Sequence, residues 1–249
     1  MTQWRLIPPL IASGTTQMAI DSWLLDQHRA GLMPSVLRFY TWSPAAISLG
    51  YHQRQFPDHW HTLTWQGEAV DLVRRPSGGR AVLHQGELTY AVITSGLKGD
   101  RTQVYRHLCQ FLIAGMQTLG LDLDYGTAGR GYIHNPNCFG TATAADLVLA
   151  DGTKLIGSAQ LKRGDAILQH GSIRLCPDSD LFEQVFGIPL ERSPLWTAAP
   201  LTVAAVTPAL SLAAQTHFGM TLVEQPLTPS EWQQAIAQSP KWHKLAQRS

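Results

Sequence analysis

The sequence predicts an α+β fold of mixed, largely antiparallel sheets flanked by helices. Three observations carry this expectation. Strand-like and helix-like segments are intermixed along the chain, and several strands are separated only by tight turns, such as Asp151-Gly152 and Arg163-Gly164. The stretch 145–175 also reads as a three-stranded meander. Short turns join antiparallel neighbours, whereas a doubly wound parallel sheet needs a long crossover between its strands.

Taken in order, Trp4 to Ile7 is a short strand, and Ser13 or Thr15 caps a helix running to about Ala30 before Gly31. Met18, Ala19, Trp23 and Leu24 recur there at helical spacing. Val36 to Trp42 and Ala46 to Tyr51 are strands either side of Ser43-Pro44. A mixed segment with a short helix, 53–65, carries Trp60 and Trp65, read as core aromatics. Ala69 to Val73 and Glu87 to Ile93 are strands. Gln103 to Leu119 is the clearest helix: Val104, Leu108, Phe111, Leu112 and Gly115 fall on one face, and Gly120 ends it. Leu121 to Tyr125 is a strand, followed by a loop, 126–141, rich in Gly, Asn and Pro. Asp151-Gly152 between two alternating runs, 145–150 and 153–161, signals a hairpin in which both turn residues take positive φ. Asp180 to Phe186 and Leu201 to Phe218 are helical, and Thr221 to Glu224 is a strand. Thr228-Pro229-Ser230-Glu231 is a capping box opening a last helix to about Leu245. A weak boundary lies near 189–200, and the expected organisation is a single domain, 1–249, with 190–249 as its helical C-terminal part.

With 44% hydrophobic and 15% charged residues, the 249-residue chain buries a core and is not disordered. A net charge of +1 argues against a nucleic-acid surface. No apolar run approaches the roughly 20 residues that span a bilayer, and the N-terminus has no signal-peptide pattern. Three cysteines without CxxC spacing point to free thiols in a reducing compartment, so a soluble cytoplasmic protein, monomeric and without a membrane or nucleic-acid partner, is expected.

Chemistry concentrates in two stretches. Arg74-Arg75-Pro76-Ser77-Gly78-Gly79-Arg80 joins two strands; its glycines let the backbone approach a ligand, and its arginines suit a carboxylate, a phosphate or a developing oxyanion. Read blandly, it is a turn with solvated arginines. Lys154-Leu155-Ile156-Gly157-Ser158-Ala159-Gln160 follows the Asp-Gly turn. Cys138, in the loop Asn135-Pro136-Asn137-Cys138-Phe139-Gly140, is a candidate nucleophile if a neighbouring group stabilises its thiolate. Lys154 is the candidate partner, its ammonium favouring the thiolate and able to shuttle a proton; otherwise it is a solvated hairpin lysine. Replacing it with alanine is then expected to abolish activity while sparing the fold. Cys109 lies inside a helix and reads as core, and Cys176 is given no role. His84 and His170 read as buried, hydrogen-bonded residues in preference to bases, and no spacing indicates a metal.

These stretches resemble the lipoate, octanoate and biotin protein ligase and transferase superfamily. Residues 74–84, followed by Glu87-Leu88-Thr89-Tyr90, are similar to its RRxxGG-x-x-V-x-H signature, and residues 154–159 to its K-x-x-G-S-A signature. Ile167 to Ile173 resembles the strand after it, in the expected order over roughly residues 1 to 190. Lipoate ligases use ATP and usually carry a third glycine, where this chain has Arg80. That form resembles the ligase-like octanoyltransferases, whose acyl-accepting loop cysteine is matched by Cys138. A departure is Gln85-Gly86, where an acidic residue often follows the histidine.

The resemblance implies the biotin/lipoate ligase catalytic-domain fold and an octanoyltransferase of lipoate biosynthesis. Octanoyl-acyl carrier protein would be the donor, and Cys138 and Lys154 the catalytic pair. Arg75, Ser77, Gly78, Gly79, Arg80, His84, Gly157, Ser158 and Ala159 would bind substrate. The acceptor lysine would belong to a lipoyl domain of a 2-oxoacid dehydrogenase or to the glycine cleavage H protein. No cofactor is implied. ATP would enter only if the chain were a lipoate-protein ligase with Cys138 incidental. An idle acyl-binding protein is the other competing reading, and the glycine-arginine run of the biotin branch is absent.

Overall fold

The computed structural model describes residues 2–126, 146–191, 193, 195 and 201–239. The N-terminal half comprises β1 (Thr2–Ala12), α1 (Gly14–Arg29), β2 (Val36–Trp42), β3 (Ala46–Leu49), a 3-10 turn (Asp58–His61), β4 (Thr64–Trp65), β5 (Glu68–Ala69) and β6 (Asp71–Arg74). Then come β7 (Val82–His84), β8 (Glu87–Thr94), α2 (Arg101–Thr118), β9 (Asp124–Tyr125), β10 (Asp146–Val148), β11 (Lys154–Arg163) and β12 (Ala166–Arg174). The remainder is α3 (Ser179–Phe186), α4 (Val203–Phe218), β13 (Met220–Glu224) and α5 (Pro229–Ile236).

The main sheet runs β13-β1-β2-β8-β12-β11-β10-β9. The first two pairings, β13 with β1 and β1 with β2, are parallel, and the others are antiparallel. All eight residues of β8 are buried, because helices cover both faces of the sheet there. Leu88, Tyr90 and Val92 pack with Phe111 and Leu112 of α2 and Leu210 of α4. Ala91 and Ile93 point the other way, into a core with Met18, Trp23 and Leu24 of α1 and Ala235 of α5. A small sheet, β6-β3-β7, stands beside the main one and packs on α3 through Ile47, Leu49, Leu181 and Val185. Trp60 is 1% exposed in that cluster and donates from Nε1 to the Val185 carbonyl at 2.7 Å.

The mixed α+β architecture is the expected one; several local expectations change. β1 continues past Ile7 to Ala12, its register with β2 shifting across Pro8-Pro9, where no amide is available to the ladder. α2 begins at Arg101, because Asp100 and Gln103 form a reciprocal capping box. At Asp151-Gly152 only the glycine has positive φ (84°). Leu149 N–H donates to Thr153 O at 2.9 Å, so the loop has three residues, and Asp151 Oδ1 instead accepts from Thr153 N–H at 2.8 Å. The Thr228/Glu231 capping box is present, but α5 stops at Ile236, ahead of Ser239-Pro240, where a proline disfavours helix at the residue before it. Leu245 lies outside the described residues.

Candidate active site

Where β11, β12 and the end of β7 converge under the glycine turn, they enclose a cavity. Its lining combines the apolar or aromatic side chains of Met18, Tyr40, Trp42 and Val82 with polar ones that include Arg75, His84, Asp146, Lys154, Ser158 and Ser172. A concave site of this composition suits a ligand with an aliphatic body and one reactive polar head. Of the residues singled out from the sequence, Arg75, Gly79, His84, Lys154, Gly157, Ser158 and Ala159 line it. Ser77, Gly78 and Arg80 do not line this cavity.

Lys154 is not at a solvated hairpin mouth. Its side chain is 2% exposed, and Nζ lies 2.8 Å from Asp146 Oδ1, itself buried on the neighbouring strand. The lysine reaches that carboxylate by crossing Gly157: a Cβ there would stand 3.0 Å from Lys154 Cε and 3.3 Å from Nζ. The three-residue spacing from lysine to glycine therefore has a steric reason. Sequence reasoning missed Asp146; an acidic residue opening an otherwise apolar strand was the available signal. Opposite, Tyr90 donates its hydroxyl proton to Ser158 Oγ at 2.7 Å, leaving the serine proton for a ligand. Ser158 faces Gly171 on β12, where a Cβ would come within 2.5 Å of its Oγ.

Arg74 and Arg75 both donate to backbone carbonyls. Arg75 is buried, and its guanidinium donates to the carbonyls of Ser48 (2.8 Å), Gly78 (2.9 Å) and Arg80 (2.7 Å). Arg74 donates to the carbonyls of Gly50 and Gln53, both at 2.7 Å. Arg75 thus braces the turn from within, and Arg74 ties the end of β6 to residues 50–53. Gly79 has φ of 99°, and a Cβ there would sit 2.7 Å from Arg75 Nη2, so this position requires glycine. At Gly78 a Cβ would meet nothing within 4 Å.

Both histidines are buried and bonded. His84 stacks on Trp42, centroids 3.8 Å apart, with Nε2 2.7 Å from Ser48 Oγ. Burial pushes its imidazole below the usual value, against the opposing pull of Glu87. His170 bridges Ser77 Oγ (2.5 Å, through Nε2) and Asp21 Oδ2 (2.9 Å, through Nδ1). Burial alone would raise the Asp21 carboxyl, but Arg38, His170 and the Tyr40 hydroxyl outweigh it and hold it below its ordinary value. Ser77, His170 and Asp21 thus rivet the glycine turn to α1 through the sheet.

Cys138 lies outside the described residues. The other two thiols are poor nucleophile candidates. Cys109 is fully buried beside Gln169, and burial pushes its thiol up to about 12, far from a thiolate at neutral pH. Cys176 is exposed and does not line the cavity. Among the described residues no group of three or more His, Cys, Asp or Glu side chains is placed to hold a metal, and no helix is long and apolar enough to cross a membrane.

Residues 13–237 match the family model of the lipoyl protein ligase A/B catalytic domain. The octanoyltransferase LipM of Lysinibacillus sphaericus is 38% identical over 205 residues, 78% of this chain and 73% of that protein. The octanoyltransferase LipM of Symbiobacterium thermophilum is 39% identical over 204 residues, covering 77% and 73%. Among solved structures, a lipoate-protein ligase A bound with ATP superposes with a TM-score of 0.78 at 23% identity, over 97% of this chain and 95% of that one. A lipoate protein ligase from T. acidophilum with bound lipoic acid gives 0.76 at 22%, over 97% and 96%. At those identities the structural likeness is one of fold.

Proposed function

The chain belongs to the lipoyl protein ligase A/B catalytic-domain family, and we propose that within it the chain is an octanoyltransferase of lipoate biosynthesis. The acyl chain lies against Met18, Trp42 and Val82 with its carbonyl at Lys154. The observation carrying this reading is the buried Lys154–Asp146 pair in the wall of a cavity that Met18, Trp42 and Val82 also line. The octanoyltransferases that are more than a third identical to the chain support it. With β13 beside β1 and α4 against α2, the chain is read as one catalytic domain.

The donor is an octanoyl thioester on acyl carrier protein. The Cys138 thiolate, favoured by the Lys154 ammonium, attacks the thioester carbonyl. The new bond joins Cys138 sulfur to the octanoyl carbon, and the bond to the carrier sulfur breaks. The carrier thiolate leaves with a proton from Lys154, which becomes a neutral amine. That amine takes a proton from the incoming ammonium of the acceptor lysine on a lipoyl domain or H protein. The freed amine attacks octanoyl-Cys138, forming the amide and expelling the Cys138 thiolate. One proton passes to water overall. The Ser158 hydroxyl, which lines the cavity beside Lys154, is the donor this reading assigns to the developing oxyanion. Every step exchanges an acyl group already activated as a thioester, so the chemistry needs no nucleotide.

Incubation with octanoyl-acyl carrier protein in the absence of nucleotide tests this. A mass increase of one octanoyl group on Cys138, followed by transfer to an apo lipoyl domain, is the expected result. Activity that requires ATP, and that survives Cys138→Ala, would overturn it in favour of a lipoate ligase. Acyl binding with no transfer to any acceptor would favour an idle binding protein.

A further inference from the structure

The cavity continues beyond Ser158 and Ala159. A groove sharing Gly79, Ser158 and Ala159 with it runs out to Arg101, Tyr105 and Arg106 of α2. A wider depression adjoining that groove at Gly78, Arg101 and Gln160 adds Lys162 and Arg163.

The charge along this path is mainly positive: among the described residues lining it, Asp100 alone is acidic, against Arg101, Arg106, Lys162 and Arg163. Arg101 and Arg106 are exposed, and among the described residues no carboxylate lies within ion-pair distance of either. Asp100, the nearest acid in sequence, caps α2 by accepting from Gln103 N–H at 2.9 Å. Arg163 is paired with Asp26 at 2.8 Å, so the surplus rests on Arg101, Arg106 and Lys162. The Arg106 guanidinium lies 5.0 Å from the centre of the Tyr125 ring, which holds it in place without neutralising it. With a whole-chain net charge of +1, this is a local device and not part of a basic surface.

We propose that this groove binds the phosphodiester at the root of the donor carrier's thiol-bearing arm. Arg101 and Arg106 take the phosphate oxygens, and the arm passes Gly79 and Ser158 to bring its thioester to Lys154. The inference rests on the carrier-thioester reading above. Charge decides between the two protein substrates: the acceptor presents a lysine ammonium, which a cationic groove repels, whereas the donor's arm carries an anion some distance from its reactive end. The open side of Gly78 leaves room for such an arm at the turn.

The test compares octanoyl-pantetheine with octanoyl-4′-phosphopantetheine as donors for single-turnover loading of Cys138. Wild type is expected to prefer the phosphorylated donor by about tenfold, the effect of one charge-assisted contact, and the preference should shrink in high salt. Arg101→Ala/Arg106→Ala should erase that preference, and Arg101→Glu/Arg106→Glu should invert it. Both should leave loading from octanoyl-pantetheine, and transfer from octanoyl-Cys138 to the acceptor, unchanged. Unfolding midpoints of the variants equal to wild type would separate binding from folding. Equal rates for both donors in wild type, or equal losses on both donors in the variants, would overturn the proposal while leaving the transferase reading intact. If neither donor loads Cys138 and only ATP with free octanoate yields product, the anion belongs to a nucleotide and both readings fall.

Discussion

The Lys154 side chain lies directly across Gly157, so closely that a Cβ on residue 157 would stand 3.0 Å from Lys154 Cε. The glycine therefore sets where the amine sits. Gly157→Ala is expected to push Nζ away from Asp146 while leaving β11 paired with β12. Misplacement of a reacting group by about 1 Å costs on the order of a hundredfold in rate. Single-turnover transfer should fall by roughly that factor, with a thermal midpoint lowered by less than in Lys154→Ala, since both partners of the pair remain. A rate within threefold of wild type would mean that the lysine does not depend on this contact.

The Asp146–Lys154 pair changes what the lysine substitution does. From the sequence, Lys154→Ala was expected to spare the fold; the structure shows Lys154 buried against a buried carboxylate. Breaking a buried pair from one side typically costs about 3–5 kcal/mol. Lys154→Ala and Asp146→Ala should therefore each lose stability on that scale in urea unfolding, as well as activity. Asp146→Asn keeps the shape and should fold better than Asp146→Ala, yet still transfer poorly, since its amide does not neutralise the ammonium. Full stability in Lys154→Ala would show that the pair contributes nothing net.

What could be read from the sequence followed the range of the forces involved. Local signals held up: Ser13 caps α1, Gly120 ends α2, Thr228 and Glu231 form their capping box, and Trp60 and Cys109 are core. Residues of the two motifs, among them Arg75, Gly79, Lys154 and Gly157, also meet in one cavity. What escaped was long-range pairing. Nothing local to Arg74 or Arg75 reveals that they serve backbone carbonyls around Gly50 and Ser48, about 25 residues earlier in the chain. Asp146 and Asp21 likewise acquire their roles only when β10 meets β11 and α1 meets β12.

Asp21 and Arg38 form an ion pair at 2.9 Å with both side chains fully buried beneath the site. Asp21→Ala leaves the guanidinium without its carboxylate in a medium that solvates charge poorly. A loss of about 3–5 kcal/mol is expected, read as the unfolding free energy in urea. Replacing both residues by apolar side chains of similar volume, Asp21→Leu with Arg38→Met, should recover much of it. The double variant should nonetheless transfer more slowly, because His170 loses the acceptor that orients it toward Ser77 and the glycine turn. Equal losses in the single and double variants would refute an uncompensated buried charge as the cause.

Arg5 fastens the C-terminal segment to β1. Its guanidinium grips both Glu231 oxygens, at 2.7 and 2.8 Å, and also donates to the carbonyls of Gln225 and Pro226. The Arg5 hydrogen bonds hold the Glu231 carboxyl at about 2, against 4.5 when unperturbed. A depressed folded value means that the unfolded chain binds the proton first as pH falls. The contribution is therefore fully present above about pH 4.5 and drains away as pH drops toward 2. Glu231→Gln removes this titration but keeps the side-chain volume. Its urea midpoint should lie below that of wild type at pH 6, with the gap closing between pH 4.5 and 2. A constant gap across that window would mean that the contact acts through geometry alone, without its charge.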